Sequence, residues 1–505
     1  MALKAVAPAV QKTIDTYDET PAAAVNAVYE RSHLAYQSWS KYSVEKRTSY
    51  LKRLRHILID LQEEIADIIS ISTGKTKTDA LTTEVMTAVD AIKHVEKEAP
   101  LILANEKVKT PLHFIGKTSY INRKPRGTVL IISPWNFPFQ LALVPLIEAL
   151  AAGNTVILKP SEETPMIGKL LQHLMSLLPD DVAQIVMGGK DLGGALTSEK
   201  PDYIHFTGSV STGKHIQRQA ADHLIPTTLE LGGKDAMVVF NDAHIKRAAK
   251  AAVWGSFHHS GQVCLSIERV YVQSGIYNQF LTEVKRETAK IRQGQTEDSD
   301  IGSMTTTRQT NHVKRQVQDA VDKGAVIEAG RAPGDWKDDS PFIEPLILTS
   351  VNSDMDIMSD ETFGPVMPIF SFHTEEEAVQ LANSTSYGLG GSVFTSDIVK
   401  AERVTNHLVT GNVNINDVIT SVANFNLPFG GVKNSGIGKY HGYEGIRSFC
   451  IETSVMADKG TSEDEITWYP SAGKYLLLKE LTAGFWGRQR NWKSFIQTYM
   501  RLSKM

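Results

Sequence analysis

The chain has almost no cysteine: Cys264 and Cys450 are its only two among 505 residues. That count speaks against a disulfide framework and a Cys-rich zinc site, and makes a reducing, cytoplasmic compartment the natural expectation; no metal site is expected. Long hydrophobic runs are missing too. No stretch of roughly 18 uncharged apolar residues occurs, so no segment is expected to span a membrane. The start, Met1-Ala2-Leu3-Lys4-Ala5-Val6, lacks the apolar core of a signal peptide. There is little charge excess of either sign: 53 Lys and Arg face 57 Asp and Glu, a net charge of −4. With no basic patch interleaved with aromatics in the main body, this balance gives no ground for a nucleic-acid partner. Internal repeats and low-complexity segments are absent as well.

What remains is an ordinary globular composition, 42% hydrophobic and 22% charged, in a chain long enough for two to four domains. Residues 22–99 read as helices, with Leu51, Leu54, Ile57, Leu58 and Leu61 at helical spacing. Residues 108–126 read as short strands that include Phe114, Ile115, Tyr120 and Ile121. A strand–helix alternation follows: strands near 127–133, 155–158, 182–187, 203–206 and 227–231, with helices near 141–152, 167–178 and 212–221. A second series begins near Ala236, with strands near 237–240, 269–272, 346–350, 368–371 and 392–394 and helices near 245–257 and 277–291. Such alternation predicts an α/β fold of parallel sheets covered by helices. Residues 330–340 read as an exposed turn region.

Several strand ends carry residues suited to chemistry. Cys264 follows a glycine turn, Ser260-Gly261-Gln262, and has Ser266, Glu268 and Arg269 nearby. A lone cysteine is often a small buried hydrophobe, but this polar neighbourhood admits a nucleophile, which acts as thiolate. Cys450 has no such company and reads as core. Glu230 ends an apolar strand before Gly232-Gly233. It is either a solvated strand-end charge or a functional carboxylate at a place where backbone approaches something closely. Gly208 and Gly213 bracket a strand-to-helix turn that can hold phosphate on free N–H groups. The spacing matches neither the dinucleotide fingerprint nor a full phosphate loop, and a plain capped helix reads equally well. Lys159-Pro160-Ser161-Glu162 ends another strand, where a carboxylate could accept bonds from ribose hydroxyls; an ordinary capped turn is the alternative. In Ser133-Pro134-Trp135-Asn136-Phe137-Pro138, two prolines fix an Asn amide that could serve as an oxyanion donor, or simply stiffen a loop with buried aromatics. The loops at Glu361-Thr362-Phe363-Gly364-Pro365 and Leu427-Pro428-Phe429-Gly430-Gly431 say little alone.

Taken in order, SPWNFP, KPSE, FTGSVSTG, LELGGK, GQVC, ETFGP and LPFGGVKNSG extend across most of the chain. On these motifs it resembles the NAD(P)-dependent aldehyde dehydrogenase superfamily. NDVIT ahead of LPFGGVKNSGIGKYHG resembles most the subgroup acting on medium- and long-chain (fatty) or aromatic aldehydes. The resemblance implies a Rossmann-like NAD-binding domain (1–107 and 126–232), a second α/β catalytic domain (233–446) and a small β oligomerisation excursion (108–125 and 447–458). A C-terminal extension (459–505) follows. It implies Cys264 as nucleophile, Glu230 as general base for the deacylating water, and Asn136 with the Cys264 N–H as oxyanion donors. Lys159 and Glu162 would bind the adenosine ribose, and Ser209 with Gly208 the pyrophosphate. Glu361 and Phe363 would hold the nicotinamide ribose. Leu231 and Trp135 would complete the cofactor contacts, and Trp135 and Phe429 would border the substrate cavity. The implied reaction oxidises an aldehyde to a carboxylic acid through a Cys thiohemiacetal and a thioester. Glu162 favours NAD, with NADP left open. Glu230 favours water over coenzyme A as acceptor; a CoA-acylating or acid-reducing relative and a non-catalytic one are the alternatives. A small-molecule aldehyde and a second copy, as homodimer or homotetramer, are the expected partners.

The tail departs from the rest. From Trp468 onward seven Lys and Arg face Glu480 alone, interleaved with Leu476, Leu477, Leu478, Phe485, Trp486, Trp492, Phe495 and Tyr499. Such a basic amphipathic segment can lie on an anionic bilayer as a peripheral contact, or pack on a neighbouring subunit or over the substrate entrance.

Overall fold

The computed structural model describes residues 2–337, 340–503 and 505. It divides into two units, Met1–Ala104 with Arg123–Glu452, and Asn105–Asn122 with Thr453–Met505.

The larger unit contains two sheets. In the six-stranded one the order is Gly436–Ile437, Thr227–Glu230, Tyr203–Thr207, Thr128–Ile132, Thr155–Lys159 and Ala183–Ile185. All pairs are parallel except the first. Strand Thr128–Ile132 takes its sequence successor on one side and Tyr203–Thr207 on the other, which makes its C-terminal end a switch point. The seven-stranded sheet runs Val326–Ala329, Leu346–Thr349, Val366–Phe372, Ile267–Gln273, Asp235–Val239, Gly390–Phe394 and Asn412–Ile415, parallel but for the first pair. The central strands are apolar runs buried on both faces, as parallel sheets require: Val156, Ile157 and Leu158 are all fully buried. Helix Gln140–Ala152 has no exposed residue at all and fills the space between layers.

The sequence-predicted strands and helices of both series are present within a few residues. Helices Val25–Trp39, Val44–Asp60, Gln62–Thr73 and Met86–Ile102 account for the helical N-terminal region. The antiparallel hairpin of Ala2–Ala7 with Lys12–Asp18 was not expected from the sequence.

Most of a three-stranded sheet, in the order Cys450–Ala457, Thr118–Pro125, Glu106–Val108, lies in the smaller unit. The last two pair antiparallel. Phe114 and Ile115, expected in a strand, lie instead in a turn-rich loop with Ile115 exposed. Helices Lys474–Trp486 and Trp492–Leu502 follow, packed on one another through Leu477, Leu481, Phe495 and Leu502. In the region read as an exposed turn, Pro333–Asp335 forms a 3₁₀ turn with Pro333 buried, and residues 338–339 lie outside the described residues.

Candidate active site

The C-terminal ends of three neighbouring strands open on one cavity of about 780 Å³. Thr128–Ile132 leads into Pro134, Trp135 and Asn136, Tyr203–Thr207 into Gly208 and Ser209, and Thr227–Glu230 into Leu231 and Gly232; all of these line it. Facing them are the loops that enter the second sheet at its N-terminal edge: Cys264 before Ile267–Gln273, Glu361 and Phe363 before Val366–Phe372, and Leu389 before Gly390–Phe394. Every predicted site residue therefore lines the cavity except two. Lys159 and Glu162 sit one strand over, at the end of Thr155–Lys159, and bond to each other at 3.0 Å.

Asn136 is held from below. Glu84, fully buried, accepts the backbone N–H groups of Phe139 (2.8 Å) and Gln140 (3.3 Å), and pairs with the equally buried Lys75 at 2.6 Å. This places a carboxylate on the free N–H groups where helix Gln140–Ala152 begins, and so fixes the end of the Pro134–Pro138 loop. The Asn136 amide itself donates to Gln262 O at 3.0 Å, which ties it to the turn that carries Cys264.

That turn is a run of left-handed backbone, His259 (φ 48°), Ser260 (φ 53°) and Gly261 (φ 71°). Left-handed geometry costs about 1–2 kcal/mol at a residue with a Cβ, and here it is over-determined by bonds. Ser260 Oγ donates to Gly302 O (2.9 Å), Gln262 Nε2 to His259 O (3.1 Å), and Thr305 N to Gln262 Oε1 (2.9 Å). The diglycine after Glu230 has its reason in the same place. A Cβ on Gly233 would stand 2.3 Å from Cys264 O, and one on Gly232 would stand 2.4 Å from Glu361 Oε2.

The charged groups that act on Cys264 are acids, not cations. Burial pushes the Cys264 thiol well above its ordinary range, and Asp235, Glu361 and Glu230 add to the rise, with the Leu265 N–H opposing. Burial also raises Glu230, only partly offset by Lys439. Glu230 is 3% exposed, lines the cavity, and accepts no hydrogen bond from the described residues. A buried polar atom without a partner costs about 1–3 kcal/mol. Such a carboxyl contributes no hydrogen bond to the fold among the described residues.

On the other side of the cavity, Ser209 caps the twelve-residue helix Val210–Ala221, whose first residues line the space. Glu361 accepts the Gly233 N–H at 3.1 Å, and burial lifts its carboxyl to about 8. Phe363 stands edge-to-face with Trp135, ring centres 5.6 Å apart. Phe429 meets Tyr440 in the same way at 5.4 Å.

Sequence reading missed the residue that sets the Glu361–Phe363 loop. Glu268 is buried and accepts the N–H groups of Thr362 and Phe363, both at 2.7 Å. Its charge is met by Lys234 Nζ at 2.7 Å, which also donates to Thr362 Oγ1 at 2.8 Å. A charged residue four positions after Cys264 in an apolar strand was the available signal.

A thiol, an amide donor and an unpartnered buried carboxyl in one cavity can carry out acyl chemistry on sulfur. The aldehyde dehydrogenase family model matches residues 1–455. The chain belongs to the aldehyde dehydrogenase family. This aldehyde dehydrogenase is 39% identical over 481 residues to a 4,4'-diapolycopene aldehyde oxidase of Methylomonas sp, a match covering 94% of this chain and 90% of the relative. It is 33% identical over 436 residues to a 4,4'-diaponeurosporen-aldehyde dehydrogenase of Staphylococcus aureus, covering 86% and 94%. Among solved structures it is similar to an aldehyde dehydrogenase from Brucella melitensis biovar abortus, with a TM-score of 0.86 at 32% identity, covering 91% and 94%. A betaine aldehyde dehydrogenase from Staphylococcus aureus in complex with NAD+ has a TM-score of 0.86 at 30% identity, covering 93% and 96%. The enzyme is an NAD(P)-dependent oxidoreductase of the α/β class, as the motifs implied.

Proposed function

We propose that the enzyme oxidises a long, lipophilic aliphatic aldehyde to its carboxylic acid, with NAD as the preferred hydride acceptor. The observation that carries this reading is the shared cavity. Cys264, Glu230 and Asn136 open on the same space as the helix N-terminus at Ser209 and the Glu361–Phe363 loop. Residues 1–107 with 126–232 would supply the cofactor side and 233–446 the catalytic side.

The residues present suit NAD. Free N–H groups at the start of Val210–Ala221, beside Gly208 and Ser209, suit a pyrophosphate. Glu361 has a second carboxyl oxygen for a ribose hydroxyl, and Leu231, Trp135 and Phe363 offer apolar walls. The Lys159–Glu162 pair would take the adenosine ribose, where Glu162 would repel a 2′-phosphate. When bound, the nicotinamide supplies a hydride acceptor. All other steps fall to the chain. Cys264 releases its thiol proton to solvent as its sulfur bonds to the carbonyl carbon, and the charge that forms on oxygen is met by Asn136 Nδ2 and the Cys264 N–H. A single donor of this kind is worth about 3–4 kcal/mol. At the thioester stage Glu230 takes a proton from water, whose oxygen bonds to the carbonyl carbon as the carbon–sulfur bond breaks. Glu230 supports water over coenzyme A as the acceptor.

The substrate side is walled by Phe137, Leu141, Trp254, Val263, Ile419, Val422 and Phe429, a largely apolar surface suited to a chain rather than a small polar aldehyde. NADH formation across aldehydes of increasing chain length, with NAD and NADP in parallel, tests the reading. The expected result is kcat/KM rising with each added methylene by up to about fourfold, from about 0.8 kcal/mol of burial. A preference for the shortest chains would overturn it. An aldehyde of the diapolycopene type is a second reading, favoured by the names of the two relatives, and belongs in the same series.

Glu268 gives a separate prediction. Glu268→Ala strands Lys234 and two backbone N–H groups in the interior. It is expected to cost about 3–5 kcal/mol of stability and to raise KM for NAD more than KM for aldehyde. Denaturant unfolding and two-substrate kinetics read both, and Glu268→Gln, which keeps an acceptor, should recover part of each.

The same reading makes the enzyme a homodimer or homotetramer, with Cys450–Ala457 at the subunit interface. It places the enzyme in the cytoplasm, with a peripheral membrane contact through residues 459–505.

A further inference from the structure

We propose that the smaller unit presents a composite lipid-binding face, built from the C-terminal helices together with the loop that contains Leu112 and Ile115, and that this face rests on an anionic bilayer surface. The proposal rests on the peripheral contact proposed above, and adds to it a segment far away in sequence.

The two C-terminal helices pack on each other yet leave part of their apolar surface uncovered. Helix Trp492–Leu502 turns Phe495 and Leu502 inward. Trp492, Ile496 and Met500 recur every fourth residue and are 44%, 53% and 52% exposed. They form one stripe along the helix. One residue further round lies a second stripe of Lys493, Gln497 and Arg501, all exposed. An apolar stripe edged by cations suits the boundary between headgroups and acyl chains.

The patch extends beyond these helices. His113 stands 5.2 Å from Trp486, ring to ring, and 6.0 Å from Phe485. This brings the loop between Glu106–Val108 and Thr118–Pro125 against the end of Lys474–Trp486. Leu112 and Ile115 flank that histidine and are each 55% exposed, and Trp486 is 56% exposed. The loop that carries Leu112 and Ile115 thus meets a helix end more than three hundred residues away in sequence, and both segments expose apolar side chains.

Charge favours lipid over a second copy of the chain. The chain as a whole carries an excess of acid, yet Lys479, Arg488, Arg490, Lys493 and Arg501 are exposed, and among the described residues none of them forms an ion pair. A second copy would bring the same five cations to the contact. An anionic headgroup layer would neutralise them without fixed geometry. Length excludes crossing: thirteen and eleven residues reach about 20 Å at 1.5 Å each, short of the roughly 30 Å of a bilayer core.

Co-sedimentation of the full chain with vesicles tests the face, using phosphatidylcholine alone and phosphatidylcholine mixed with phosphatidylglycerol, at low and high salt. Ile115→Glu with Ile496→Glu, and Lys493→Glu with Arg501→Glu, alter only exposed side chains; turnover of a short water-soluble aldehyde reports that each variant is folded. Wild type should bind the anionic vesicles at least about tenfold more tightly than the neutral ones, and each double variant should lose at least about tenfold. Equal binding to both vesicles, no binding, or variants that bind like wild type would overturn the proposal. So would variants that change the oligomer's sedimentation coefficient, since the face would then be a subunit contact. Chain-length preference measured in detergent solution is a separate readout: its failure would remove the substrate reading and leave vesicle binding standing.

Discussion

Cys264→Ala is expected to abolish aldehyde-dependent NADH formation, lowering kcat by at least about 10⁴-fold, while leaving the unfolding transition in place. The side chain is small, partly exposed to the cavity, and donates no side-chain hydrogen bond among the described residues. Burial and the acids Asp235, Glu361 and Glu230 all favour the protonated thiol, and only the thiolate attacks. Cys450 supplies the control. It is 2% exposed and donates from Sγ to Ile446 O at 3.6 Å, in the core beside the strand it opens. Cys450→Ala should therefore leave turnover intact and lower stability by about 1 kcal/mol, the scale of a small buried group removed. Steady-state kinetics on both variants, with thermal unfolding, reads the contrast. Turnover in Cys264→Ala equal to wild type would remove the acyl-on-sulfur reading and revive the non-catalytic one.

What the sequence made legible was local. Strand ends announced themselves through Pro160, through Gly208 and through the diglycine after Glu230, because a ladder that stops and a backbone that must come close both demand particular residue types. The structure gathers those ends at one edge of the six-stranded sheet, so reading them one by one also located the cavity. What the sequence hid was what supports the site at long range. Nothing near Glu84 says that it caps the helix beginning at Gln140, and nothing near Lys234 says that it neutralises Glu268 under the Thr362–Phe363 backbone. A buried ion pair looks like two surface charges until the chain is folded. The N-terminal hairpin escaped for a different reason: Ala2–Ala7 is half alanine, a poor strand former, and its alternation is faint. Phe114 and Ile115 misled in the opposite sense. Adjacent apolar residues suggested a strand, but a strand would have put them on opposite faces, and the loop exposes them instead.

Glu230→Gln should divide the reaction in two. The amide has the carboxyl's shape but cannot take a proton from water. Sulfur capture and the first NADH should survive as a burst close to one per active site, followed by a steady rate lower by about 10²–10⁴-fold. The pH profile carries the finer test. Burial raises the Glu230 carboxyl well above the ordinary carboxylate range, and Lys439 pulls it part of the way back. A raised value keeps the neutral acid form at lower pH and yields the base form only as pH climbs. The wild-type steady rate should therefore fall as pH is lowered through a midpoint clearly above that of a free glutamate, and Glu230→Gln should lack this limb. Lys439→Ala removes the opposing cation, so its limb should move to still higher pH. Stopped-flow absorbance of NADH across pH, for wild type and the two variants, measures all three. A full-rate steady state without a burst in Glu230→Gln would show that a different group activates the water, and Tyr440, which lines the same cavity, would be the next side chain to substitute.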